Sequence, residues 1–336
     1  MKKQLLIAAV AATMATASMA DISIKGSANI KMAGKDLSTN TFTTQSSSQN
    51  MDVDITGSNG ATKVIAHLDI DNASSTGGTD TSTDGGTINV DKLYMTTAIG
   101  SVNVKAGDWS SCVGMVEGVQ KCTTTNNSIS LSTKVGGYTV GVSGGMSNDS
   151  ANNSFSVSGK VAGLDFKIKD NENTYTNISV KGDVAVGTGT GFYVEHMNRD
   201  AADSDATLVA AHTVVNGVTL KAASYEADVT GLASNTGEIR PLGTSLVGDY
   251  HTAHATTLAT IKDIKGVGAN MDIQGNNVNV VVGEYDTAAL NGLDFADVVV
   301  TRKLAAGTTL DMSYGKIDTS ATADTTNFGA IINVKF

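Results

Sequence analysis

Asn327-Phe328-Gly329-Ala330-Ile331-Ile332-Asn333-Val334-Lys335-Phe336 ends the chain. Apolar side chains recur at Phe328, Ala330, Ile332, Val334 and Phe336, with Gly329, Ile331, Asn333 and Lys335 between them. Successive residues of a strand point to opposite faces, so this period of two gives a strand with one face made for an apolar medium. The other end of the chain says where such a strand could be used. Lys2 and Lys3 precede an apolar run from Leu5 to Ala17, and Ser18 and Ala20 supply small residues at a cleavage position. Residues 1–20 therefore read as a signal peptide, with the mature chain expected to begin at Asp21 and to form one domain to Phe336.

The apolar run is too short to cross ~30 Å of hydrocarbon as a helix, and no other stretch approaches ~20 apolar residues. A membrane location then leaves only a closed barrel, because lipid offers no partner for an open sheet edge. Composition agrees. Charged residues make up 17% of the chain, against about 25% in ordinary soluble domains. Thirty-six glycines stand against one proline, which suits long ladders that a proline would interrupt. The net charge of −10 falls to −12 without Lys2 and Lys3, a poor match to a nucleic-acid partner. Cys112 and Cys122 are the two cysteines, and an even pair in an exported chain favours a disulfide.

Strand-period segments recur from Asp21 onward. Ile22, Ile24, Gly26, Ala28, Ile30 and Met32 alternate with Ser23, Lys25, Ser27, Asn29 and Lys31. Short turns such as Ser58-Asn59-Gly60, Gly136-Gly137 and Asn216-Gly217 alternate with longer polar stretches such as Asp71 to Gly86, Met197 to Asp205, Asp228 to Gly243 and Asp318 to Thr326. Asn-Gly is a strong hairpin turn. Short turns at one rim and long loops at the other are the arrangement of an outer-membrane barrel. The fold class expected is an all-β transmembrane antiparallel barrel of about sixteen strands, with eighteen possible because Leu246 to Asn277 divides equally well in two ways.

The pattern resembles the Gram-negative general porin family along the whole mature length. Four segments carry it in detail: Asp21 to Met32, Lys92 to Gly107, Ser128 to Gly145, and Arg302 to Phe336. The closing strand itself is similar to the mark read by the outer-membrane insertion machinery, carried here by Gly329, Ile332, Val334 and Phe336. The resemblance implies a sixteen-stranded, usually trimeric, water-filled diffusion channel in the outer membrane, with lipid and lipopolysaccharide around it, no cofactor, and a third loop that folds inward to narrow the pore. Two departures stand out. Aromatics are only 5% of residues, and the third loop, Asp108 to Asn127, is short and holds the cysteine pair.

Strand phase sharpens the expectation. If apolar residues face lipid, then Lys25, Lys31, Lys63, Lys92, Lys105, Lys134, Lys160, Lys167, Lys169, Lys181 and Lys221 face the lumen. A one-residue slip would reverse every one of them, and a lysine near the bilayer midplane costs about 2–4 kcal/mol. Asp52, Asp54, Asp69 and Asp311 are the main inward acids expected. The neck is expected between the loop charges Asp108, Glu117 and Lys121 and the wall lysines Lys25, Lys63, Lys105 and Lys134. Opposed charges across a water-filled neck tune ion selectivity, here with a weak lean to anions.

Other signals carry less. Gly141-Val142-Ser143-Gly144-Gly145 matches the G-x-S-x-G pattern but lies inside an alternating strand, whereas a nucleophile elbow needs a strand, turn and helix. His251 and His254 point to opposite faces of a strand. Gly187 to Gly191 precedes no helix. No enzyme activity is expected. The competing readings are an anion-preferring channel of the same fold and a surface adhesin or S-layer-like β protein.

Overall fold

Period-2 alternation becomes strand along most of the described residues in a computed structural model. It describes residues 21–37, 42–76, 87–115, 118–119, 122–146, 153–172, 174–185, 189–200, 204–228, 261–287, 292–318 and 325–336. The strands of the first half are β1 (Asp21–Leu37), β2 (Phe42–Asn59), β3 (Thr62–Thr76), β4 (Thr87–Ile99), β5 (Val102–Ser111), β6 (Thr123–Val135), β7 (Tyr138–Gly145), β8 (Ser154–Val161) and β9 (Leu164–Asn171). Those of the second half are β10 (Tyr175–Ala185), β11 (Thr190–Arg199), β12 (Ser204–Val215), β13 (Val218–Ala227), β14 (Ile261–Ile273), β15 (Asn276–Thr287), β16 (Leu293–Ala305), β17 (Thr308–Asp318) and β18 (Thr325–Lys335). No helix among the described residues is long and apolar enough to cross a membrane.

Each strand pairs antiparallel with the next, and β18 returns to β1, so the eighteen strands form one closed ring. The sixteen strands implied by the resemblance are thus corrected to eighteen, the other count the sequence left open. The reason is strand length. β7, β8 and β9 have eight residues each, which leaves room in the chain for a further hairpin. The described part of the ambiguous stretch holds β14 and the turn into β15, with Ile273 opposite Asn276.

The seam shows why the last residue matters. The Gly26 N–H donates to the Phe336 carbonyl and the Phe336 N–H donates back to Gly26, each at 2.9 Å. The Phe336 ring lies over Gly26, where any Cβ would come within 2.5 Å of it. Glycine is therefore required where the aromatic terminus closes on the first strand. The tight turns are where the sequence puts them. Asn216 (φ 50°) and Gly217 (φ 80°) link β12 to β13 in the left-handed conformation that a two-residue hairpin demands.

Several connections differ from the sequence reading, among them Asp71 to Gly86, whose first six residues belong to β3. Met197 to Asp205 is mostly strand, since β11 runs to Arg199 and β12 starts at Ser204. The third loop is shorter still than expected, because β5 extends to Ser111 and β6 begins at Thr123. Residues 1–20 lie outside the described residues, as do His251 and His254.

Candidate functional site: the inward loop and the lumen wall

The connection between β5 and β6 identifies the inside of the ring. It carries Cys112 and Cys122, which are disulfide-bonded, and it meets β9, β10 and β11 rather than neighbours of its own strands. Lys167 Nζ on β9 donates to the carbonyls of Cys112 (3.0 Å) and Gly114 (2.7 Å). Ser179 Oγ on β10 accepts from the Met115 N–H at 3.2 Å. Glu195 on β11 accepts from the Val119 N–H at 3.1 Å. With β7 and β8 in between, the loop reaches these strands only across the interior. The faces bearing Lys167, Ser179 and Glu195 are therefore lumenal. The opposite faces carry exposed apolar residues such as Ile24, 62% exposed, and Val267, 55% exposed.

Glu195 is the centre of the attachment. It is fully buried. Besides the loop amide, its carboxylate accepts from Asn177 Nδ2 at 2.7 Å and from the Tyr193 hydroxyl at 2.6 Å. Three donors on one carboxylate satisfy a charge that would otherwise be costly to bury. Gly114 and Gly118 rest on this carboxylate, and a Cβ on either would collide with it. The loop backbone approaches the wall this closely because both residues are glycine.

Register extends the lumenal face around the ring. Lys167 lies opposite Ser158, Ser158 opposite Thr139, and Thr139 opposite Lys134. Ser130, on the Lys134 face, lies opposite Lys105, Lys105 opposite Thr96, and Thr96 opposite Lys63. Lys63 continues through Ser58 to the Asp54 face, and Asp54 lies opposite Lys25. Lys25, Lys63, Lys105 and Lys134 thus share the inner face, but at different depths. Lys63 and Lys134 sit one residue from the short turns, away from the loop. Lys105 lies higher, its Nζ 4.4 Å from the Tyr94 ring centroid and 4.9 Å from that of Trp109, a cation held by two aromatic faces. His67 stands between Asp54 (Nδ1–Oδ1 2.8 Å) and Asp52 (Nε2–Oδ1 3.5 Å).

The expected loop charges are not brought together. Asp108 belongs to β5 rather than to the loop, lies opposite Leu93 on the outward register, and accepts from the Asn127 N–H at 2.5 Å. The strand continues past it to Ser111, so alternation from the inward Lys105 through Gly107 and Trp109 turns Asp108 away from the lumen. Glu117 and Lys121 lie outside the described residues. At the closing strand, Ile332, Val334 and Phe336 take the outward phase. Gly329 takes the inner one, opposite Ser313. The Ser143 of the G-x-S-x-G match lies within β7 and shares a hydrogen bond with Ser154 at 2.6 Å.

Strand phase alone missed the other half of the lumen. From β11 to β16 the inner face carries Tyr193, Leu208, Tyr225, Ile264, Tyr285 and Phe295, each 3% exposed or less. Val113, Val119 and Met115 of the inward loop belong to the same apolar cluster. The inner residues of β1 to β9 are different. Lys25, Asp54, Lys63, Lys134 and Lys160 are exposed, and Lys92, Lys105, Lys167 and Lys169 are half-buried. The sequence did hold a signal for the apolar half. Phe192-Tyr193-Val194, Val280-Val281-Val282 and Val298-Val299-Val300 are apolar on both faces, as strands are when both sides are packed.

No protein-family model matches the chain, and no curated protein matches it by sequence. Solved structures match by shape. OccAB4 of Acinetobacter baumannii superposes with a TM-score of 0.64 at 10% identity, covering 95% of this chain and 99% of that one. The outer membrane protein OpdK of Pseudomonas aeruginosa gives 0.62 at 10% identity, covering 94% and 99%. OpdK with vanillate gives 0.61 at 10% identity, covering 94% and 98%. At such identity the likeness is one of fold, end to end, to barrels of this architecture.

Proposed function

We propose that this chain is an outer-membrane channel for passive diffusion of ions and small hydrophilic solutes, narrowed by the loop between β5 and β6. The single observation that carries the reading is the contrast in burial around the ring. The loop is fastened to one side, where the inner face at its level is mostly apolar, around the buried Glu195, and closed to solvent. Water is left the other side, β1 to β9, where lysines alternate with hydroxyl and carboxylate groups. A solute crossing the barrel follows that charged side. The resemblance to general porins and the end-to-end likeness to the OpdK fold support the same class.

Planar-bilayer recording of the purified, heat-modifiable barrel tests it. Discrete single-channel steps are expected. A correctly folded barrel that never conducts would overturn the reading and return the surface-adhesin alternative. A second reading is favoured by the sign of the spanning charges: a channel that prefers small anions. In a salt gradient it predicts a reversal potential displaced toward the anion. A small carboxylate such as vanillate, which the OpdK structure holds, is the natural blocking probe, and strong cation selectivity would remove the second reading alone.

A further inference from the structure

The barrel wall is lowest along β7, β8 and β9, where the strands have eight residues each. The ladder between β7 and β8 runs only from Thr139 opposite Ser158 to Ser143 opposite Ser154. That between β1 and β2 runs from Asp21 to Asp36. Ser143 stands five residues beyond Tyr138, where the short turn ends. At ~3.4 Å per residue and a tilt of ~40°, that is roughly 13 Å, about half of an apolar band ~25 Å tall. The band starts at the short turns on this side, because Val135, Tyr138 and Val161 beside them are outward and exposed.

Two carboxylates face outward at this level. Asp170 lies six residues beyond Leu164 on β9, roughly 16 Å from the short turn by the same rise and tilt, and Glu172 lies two residues further. Asp170 accepts from the Thr176 hydroxyl at 2.7 Å, and Glu172 accepts from Asn153 Nδ2 at 3.1 Å. Both donors are neutral. Among the described residues of β5 to β11, no lysine or arginine takes the outward phase, since the lysines of β5 to β10 and Arg199 all point inward. A carboxylate facing an apolar medium without a cation is costly.

Beside the two acids lies an apolar groove. Register sets it in one outward row: Leu131 opposite Val142, Val142 opposite Phe155, and Phe155 opposite Asp170. With Ile129 and Gly144 these residues line a cavity of about 520 Å³ that ends on Asp170 and Glu172. Its apolar side chains are exposed. Gly144 leaves room in it, since a Cβ there would come within 2.6 Å of Asn153 Oδ1. From Leu131 to Asp170 is three strand spacings of ~4.8 Å, about 14 Å, the reach of a dodecyl chain.

We infer that this groove is a docking site for a cationic amphiphile, an amine carried on a single hydrocarbon chain. The chain lies along Leu131, Val142 and Phe155, and the ammonium rests on Asp170 and Glu172. Charge complementarity selects this occupant, because the groove offers two outward acids and the surrounding face no outward base. On the inner face of the same strand, Lys167 and Lys169 repel the ammonium and keep it in the wall. The inference goes beyond the channel reading and shares with it only the barrel's place in a membrane.

The test uses the full barrel purified in a non-ionic detergent, with dodecylammonium as the probe and native mass spectrometry as the readout. Dodecanol and dodecanoate are the matched neutral and anionic controls. The wild type is expected to retain dodecylammonium about tenfold better than dodecanol, the scale of one charge-assisted contact. The double variant Asp170→Asn, Glu172→Gln keeps oxygen acceptors for Thr176 and Asn153, and is expected to retain the two equally. Val142→Trp, which fills the groove, is expected to weaken both. The preference is a ratio within each protein, so a smaller yield of folded barrel does not move it. Equal retention of amine and alcohol by the wild type overturns the inference, as does a preference that survives in the double variant. Better retention of dodecanoate overturns it too. So does a change of oligomeric state in Val142→Trp, which would assign the groove to a second copy of the chain. Bilayer conductance of the same preparations keeps the two readings apart. A barrel that conducts without preferring the amine loses only the docking site, and one that prefers the amine without conducting loses only the channel.

Discussion

The two halves of the lumen wall are built by the same alternation and do opposite things. Along β1 to β9 the inner face is largely polar, and Lys25, Lys63, Lys105, Lys134 and Lys167 remain exposed or half-buried. Along β11 to β16, at the level of the inward loop, it is mostly apolar and aromatic, and Tyr193, Leu208 and Tyr225 are fully buried, whereas Lys221, Asn270, Asn277 and Lys303 hold the same face nearer the short turns. One half is a wall against water, the other a packed core. The inward loop belongs to both. Its Val113 and Val119 join the apolar cluster, while its carbonyls are held by Lys167 of the charged side. A strand's period tells which residues share a face. What that face meets depends on what the rest of the chain lays against it.

The sharpest break in this contrast is at the point where the halves join. Glu195→Leu removes the acceptor for Val119, Asn177 and Tyr193 together. Each donor left buried without a partner costs roughly 1–3 kcal/mol. The loop is expected to leave the wall, and single-channel conductance to rise with larger current noise. Glu195→Gln keeps the shape and one oxygen acceptor, so it should fall between wild type and Glu195→Leu. Conductance unchanged in both variants would mean that the loop does not set the neck.

Next in size is a change confined to the packed half. Leu208→Ala empties a fully buried site, for which large-to-small substitutions cost about 2–5 kcal/mol. Thermal unfolding, read by heat modifiability on gels, should shift to lower temperature while ion selectivity stays as it was. Lys105→Glu is the converse. It reverses one charge on the open half, above Tyr94 and Trp109, and should move the reversal potential toward cations with little loss of stability. Lys63→Glu, beside the short turn, should move it less. If Leu208→Ala changed selectivity and Lys105→Glu changed only stability, the division of the lumen would be wrong.

These variants also mark how far the sequence could be read. Closure was legible at Phe336, because an alternating terminal strand has one apolar face and needs a partner, which Gly26 supplies. Turn chemistry was legible at Asn216-Gly217. The inward phase of Lys25, Lys105 and Lys134 was legible because lipid penalises the alternative. The packed half was not, because the rule that read the lysines assumes that apolar residues face lipid. Tyr193 and Tyr225 break that assumption by finding apolar partners inside the ring. The role of Glu195 was hidden for another reason. The loop amide it accepts from is 76 residues away in sequence, and nothing in the spacing of Gly114 and Gly118 names the carboxylate that they rest on. Asp108 was misplaced because the polar stretch after Gly107 conceals the end of β5. The strand runs on to Ser111, and a residue taken for a loop charge is then bound by the alternation of its strand.

The smallest expected effect is that of the disulfide. Cys112 and Cys122 are ten residues apart, and a ring of that size removes about 3 kcal/mol of unfolded-state entropy in the loop-closure model. That stabilises the loop against disorder, but it does not fasten the loop to the wall. Lys167, Ser179 and Glu195 do so whether or not the sulfurs are joined. Reduction in the wild type is therefore expected to leave mean conductance nearly unchanged and to add only noise. In the Glu195→Leu background the ring is one of the few constraints left, and reduction should then raise conductance clearly. The two changes share one loop, so their effects should be non-additive. Equal effects of reduction in both backgrounds would show that disulfide and carboxylate act on separate parts of the loop, and the join between the two halves would then rest on Lys167 and Ser179.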